Sequence, residues 1–112
     1  MSPRPSGLVT GQVLAAIAGG HRYGADIMEH TGRSGGTVYK VLRRLEDREL
    51  VTGQFEDPAL AERERRPRRR YYRLTSAGRT DLDDAIERYP QLDTVRERSK
   101  KAGTLAPQSG RA

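Results

Sequence analysis

The sequence predicts a mainly α fold with one small two-stranded antiparallel β-sheet. Three observations carry that expectation. Apolar residues recur at helical spacing in four separate stretches, strict alternation appears in only two short ones, and those two flank a polar, arginine-rich connection. The length of 112 residues suits one small domain, and with 34% hydrophobic and 32% charged residues its core is thin. Small domains hide a smaller share of their surface, so a homodimer is expected to supply the missing burial.

Residues 1–5, with Pro3 and Pro5, read as a flexible lead-in. From Ser6 to Ala18 the apolar positions Val9, Val13, Leu14, Ile17 and Ala18 make a first helix, which Gly19 and Gly20 end. Tyr23 to Thr31 gives a second short helix with Ile27 and Met28 inward, stopped at Gly32. Only Gly32 and Arg33 separate it from Ser34, an N-cap residue type that opens a third helix. Two helices joined by so tight a glycine-containing turn form a helix-turn-helix pattern.

The third helix, reading SGGTVYKVLRRLEDREL from Ser34 to Leu50, is the centre of the functional reading. Val38, Val41, Leu42 and Leu45 share one face, which belongs to the core. The opposite face carries Gly36, Lys40, Arg43 and Asp47, with Thr37 and Arg44 on one shoulder and Tyr39 on the other. A helix lying in a major groove needs cations and hydrogen-bonding side chains of this kind in its first turns. The competing reading is a solvated surface on which Arg43 and Asp47, four residues apart, pair with each other.

After Leu50 the periodicity changes. Val51, Gly53 and Phe55 alternate with Thr52, Gln54 and Glu56, and Arg70, Tyr72 and Leu74 alternate with Tyr71 and Arg73, so both segments read as strands. Between them, Asp57 to Arg68 is read as a basic loop at the tip of a β-wing, longer than a tight hairpin requires. Residues 6–75 are therefore expected to form a winged helix-turn-helix. Thr75 caps a further helix over 76–101 with the apolar stripe Leu82, Ala85, Ile86, Tyr89, Leu92 and Val95, either kinked or restarted at Pro90. That C-terminal stripe is the expected dimer interface, and residues 102–112 are expected to be disordered.

The net charge of +6 is unevenly placed. Residues 33–73 hold twelve Lys or Arg against seven acids, while the stretches before and after are nearly balanced. A localised excess is what a polyanion-binding surface requires. There is no Cys, which excludes disulfides and thiolate metal sites, and no apolar run suggests a signal peptide or membrane span. A soluble cytoplasmic protein is expected. The two histidines, His21 in a turn and His30 near a helix end, have no spacing that suggests a metal or acid-base site, so no catalysis, metal or cofactor is predicted.

In order, RYGADIMEHTG at 22–32, SGGTVYKVLRRLEDRELV at 34–51 and RRYYRLTSAGR at 69–79 resemble the PadR family of bacterial winged-helix transcriptional regulators. The length and single last helix are similar to the short subfamily, which dimerises through that helix. The resemblance implies double-stranded DNA as partner, with Thr37, Tyr39, Lys40, Arg43 and Arg44 on the DNA-facing part of the third helix and the arginine-rich loop at the wing tip. Many relatives have proline where this chain has Gly35 and Lys40; the second difference adds a cation to the reading face. Some relatives stack flat ligands between tryptophans at the dimer centre, and this chain has no Trp, although Tyr89 occupies the similar place.

The expected contacts follow. Arg43 and Arg44 are the candidates for base or phosphate contacts, because a guanidinium grips guanine O6 and N7 with two hydrogen bonds. On the wing, Arg63, Arg65, Arg66, Arg68 and Arg69 are candidates for a minor groove or for phosphates. The function read from the sequence is a dimeric, sequence-specific DNA-binding regulator, a repressor acting at an inverted repeat. Two alternatives stand beside it: a winged-helix protein-interaction module, and an effector-responsive sensor of another winged-helix family whose small-molecule effector sits at the dimer interface.

Overall fold

The computed structural model describes residues 6–93. The expected lead-in, the segment from 94 onward with Val95, and the expected tail lie outside the described residues. In chain order the elements are α1 (Leu8–Ala18), α2 (Gly24–Thr31), α3 (Gly35–Asp47), β1 (Val51–Phe55), α4 (Pro58–Arg63), β2 (Arg70–Leu74) and α5 (Ser76–Arg88), followed by a 3-10 turn at Pro90–Leu92. The mainly α fold with a two-stranded antiparallel wing is thus the one that forms.

Helix α1 is the centre of the packing. Val13, Leu14, Ala16 and Ile17 are almost wholly buried, Gly11 and Ala15 join them, and α2, α3, β2, α5 and the last turn all pack against this helix. Helix α2 ends at Gly32, whose left-handed φ of 73° lets its N–H close on the Met28 carbonyl at 2.8 Å. Only Gly32, Arg33 and the N-cap Ser34 separate α2 from α3.

The strands pair in the register Val51↔Leu74, Gly53↔Tyr72 and Phe55↔Arg70. Val51 and Tyr72 are the buried members of that face, which joins the sheet to the helical core. A third, single-residue element extends the sheet: Tyr23 bridges Tyr71, and Tyr72 N–H donates to the Arg22 carbonyl at 2.8 Å. A one-residue strand has no period, which is why alternation does not reveal it.

The wing departs from the expected loop. Asp57 caps α4 by accepting from Ala59 N–H at 2.9 Å, Pro58 occupies its first turn, and Ala61 is buried. The sequence carries this signal in Asp57-Pro58, an N-cap followed by a proline at the first helical position, but the charge density of the stretch obscures it.

Of the two outcomes expected at Pro90, the chain takes the restart: α5 stops at Arg88 and Pro90 begins a short 3-10 turn that returns Leu92 to the core. Thr75 fixes the start of α5: the side chain accepts from Gly78 N–H at 3.0 Å and donates to the Glu49 carbonyl at 2.8 Å. Gly78 lies so close to the residue before β1 that a methyl group there would overlap the Leu50 carbonyl oxygen, with the carbonyl carbon 3.0 Å away.

Candidate nucleic-acid interface

The exposed side of α3 is built from its cap outward. Ser34 Oγ accepts from Thr37 N–H at 3.3 Å and lies 3.2 Å from Thr37 Oγ1. With Val38, Val41, Leu42 and Leu45 buried, Gly36, Tyr39, Lys40, Arg43, Arg44 and Asp47 are left exposed and Thr37 half-buried. Among the described residues, Lys40, Arg43 and Arg44 make no ion pair, and the alternative Arg43–Asp47 pair does not form. Glu46, near the C-terminal end of the helix, accepts from Arg70 on β2. Tyr39 does two things at once: its ring crosses the backbone at Gly24, the first residue of α2, while half of it stays open to solvent.

The wing is organised around an acid that alternation alone does not single out. The Glu56 side chain is only 5% exposed. Its carboxylate takes both terminal nitrogens of Arg66, one of them at 3.1 Å, and also the Arg69 N–H at 2.8 Å. The hydrogen bonds from Arg66 hold the Glu56 carboxyl down at about 2, well below its ordinary 4.5, and outweigh desolvation; Arg69 adds to the effect. The left-handed backbone at Arg65, with φ of 56°, turns the chain after α4 so that Arg66 returns to Glu56.

The five wing arginines therefore divide. Arg66 is held by Glu56 and Glu64 and is mostly covered. Arg69 is half-buried, with its guanidinium 4.2 Å from the centre of the Tyr23 ring and a 3.5 Å hydrogen bond to Tyr71. Arg68 is exposed and lies over Phe55 at 4.8 Å. Arg63 and Arg65 are exposed, without an ion pair or hydrogen bond from their side chains among the described residues.

The model of the transcriptional regulator PadR-like family matches residues 13–84, from the middle of α1 into α5. The chain belongs to the PadR family. It is accordingly a DNA-binding transcriptional regulator and not an enzyme. Similar solved structures support the same fold. A PadR family transcription regulator from Clostridium difficile is 21% identical, with 82% of this chain and 97% of that one covered at a TM-score of 0.64. A PadR-like transcriptional regulator from Bacillus cereus is 23% identical, with 84% and 92% covered at 0.56. BpsR from Bordetella bronchiseptica, whose DNA binding is regulated by 6-hydroxynicotinic acid, is 24% identical, with 96% and 73% covered at 0.63. No curated protein matches the chain.

Within this PadR protein, the stripe expected to form a dimer interface is largely spent inside the protomer. Leu82, Ala85 and Leu92 belong to the core, with Ala85 and Leu92 against Gly11 of α1. Ile86 and Tyr89 pack on that core but remain partly open. An apolar helix face shows that something covers it; here the cover is α1 of the same chain. The two histidines, nine residues apart in sequence, stack at 3.9 Å, and His21 Nδ1 lies 3.1 Å from Asp26. Among the described residues no group of His, Asp and Glu is arranged to hold a metal, and no helix is long and apolar enough to cross a membrane.

Proposed function

We propose that this PadR member is a homodimeric repressor that binds an inverted-repeat operator in double-stranded DNA. The observation that carries the reading is the set of exposed, unneutralised cations on α3, Lys40, Arg43 and Arg44, beside acids that are engaged elsewhere or stand at the far end of the helix. In this reading the first turns of α3 enter the major groove, Arg43 and Arg44 meet base edges or phosphates, and Thr37 and Tyr39 anchor the backbone. Arg63, Arg65 and Arg68 reach the adjacent phosphates or minor groove, while Arg66 and Arg69 hold the wing that presents them. Two copies, joined through the open edge at Ile86 and Tyr89, would read half-sites separated by about 10 to 10.5 base pairs or a multiple of it.

Gel-shift titration with the DNA upstream of its own gene, against random duplex at the same salt, tests sequence preference. Equal affinity for both would favour a protein-interaction module over an operator-binding regulator. Light scattering at micromolar concentration tests assembly, and a monomer in the presence of operator would defeat the dimeric form of the proposal.

A further inference from the structure

A second basic feature lies apart from α3 and the wing tip. Arg22, before the Tyr23 bridge, Arg73 on β2 and Arg79 in the first turns of α5 line one cleft of about 330 Å³, together with Ile17, Ala18 and Leu74. No acid lines it. None of the three guanidiniums makes an ion pair or a side-chain hydrogen bond among the described residues. The nearby carbonyls at the end of α1 are already taken, those of Ala15 and Ala16 by Gly19, that of Ala16 also by His21, and that of Ile17 by Gly20.

We propose that this cleft binds a compact oxyanion carrying two or more negative charges, of the phosphoryl or dicarboxylate class. Three cationic residues along one cleft, with no counter-ion among the described residues, favour an anion seated there. Guanidiniums suit this ligand because each offers a planar fork of N–H donors to paired oxygens. Helix α5 contributes Arg79 alone to this cleft, since the residues at its start, Thr75, Ser76 and Ala77, line a separate pocket with Glu46 and Glu49. Ile17, Ala18 and Leu74 form an apolar wall for a short carbon body. The volume is near the lower end of the roughly 300 to 1,000 Å³ typical of small-molecule sites, which selects a small ligand. Because the cleft joins α1, β2 and α5, an occupant would tie the wing strand to the start of the last helix.

The test is thermal unfolding of the full chain with pyrophosphate or succinate, each against sodium chloride of matched ionic strength. The expected result is a saturable rise of several degrees with at least one of the two anions, lost in R73Q/R79Q, whose exposed arginines are outside the core. No rise beyond the salt control, or a rise that R73Q/R79Q retains, overturns the proposal. Binding to random duplex DNA across a salt series provides the second readout, with the same slope expected for wild type and R73Q/R79Q. A flattened slope in the variant would assign these arginines to the DNA backbone and overturn the small-anion site. Should R73Q/R79Q fail to fold by circular dichroism, R22Q and R79Q singly carry the same two measurements.

Discussion

The Tyr39 ring lies across Gly24: a methyl group at Gly24 would overlap the Tyr39 hydroxyl and stand 2.5 Å from the ring carbon Cε1. A glycine at the start of α2 thus decides where an aromatic side chain of α3 stands. Gly24→Ala is expected to destabilise the fold by about 1 to 2 kcal/mol by forcing the ring away, and to weaken DNA binding with it. In a Tyr39→Ala background the same change should cost almost nothing, because the backbone at Gly24 has an ordinary φ. Urea unfolding of the four variants measures the coupling; additive effects would show that the contact carries no energy.

Among the described residues Arg43 has neither burial nor an ion pair to lose. Arg43→Ala should therefore leave the melting temperature nearly unchanged while weakening operator binding by about 1 to 3 kcal/mol. An unaltered isotherm would assign the residue to the solvated surface.

The wing arginines should separate by experiment as they do by their partners. Arg63→Ala with Arg65→Ala is expected to flatten the dependence of log affinity on log salt by about one unit for each phosphate that is no longer neutralised, with stability intact. Arg66→Ala should instead expose the Glu56 carboxylate without its partner and loosen the wing, seen as faster amide exchange at Arg69. Identical behaviour of the two variants would contradict this division.

Acid should release the same clamp. The folded carboxyl of Glu56 is depressed to about 2 from 4.5, so its contribution is fully present above 4.5 and is lost as pH falls from there toward 2. The urea midpoint of wild type should drop across that window more steeply than that of Glu56→Gln, which starts lower at neutral pH. Parallel curves would show that Glu56 is not responsible.

Gly78 meets backbone rather than a movable side chain, since the group that a methyl at this position would overlap is the Leu50 carbonyl. Gly78→Ala should cost about 3 kcal/mol or abolish cooperative unfolding, a larger loss than at Gly24. Calorimetry showing a melting temperature within a degree or two of wild type would refute the close approach.

Much of this architecture is legible in the residues because its cause is local. Ser34 caps α3, Gly32 turns out of α2, and the alternation at 51–55 and 70–74 marks the strands, since each depends on side chains within a few positions. The Glu56 clamp is not legible, because its partner lies ten residues away across α4 and only the folded wing brings them together. The C-terminal stripe is legible only in part for a related reason: Leu82 and Ala85 on α5 and Leu92 on the following turn reveal an apolar face but not which surface meets it. Tyr39 and Gly24 are fifteen residues apart on different helices, and no periodicity connects them. For the residues proposed to face DNA, sequence names the exposed face of α3, and the folded chain adds which cations on it make no ion pair among the described residues.

The closure of Leu82, Ala85 and Leu92 onto α1 separates folding from assembly. The described core of a protomer is closed by its own last helix and turn, so a movement of the unfolding midpoint with protein concentration would report association of native subunits and not completion of that core. In the proposed dimer, the strength of pairing would then be set by the partly open Ile86 and Tyr89 and not by Leu82, Ala85 and Leu92.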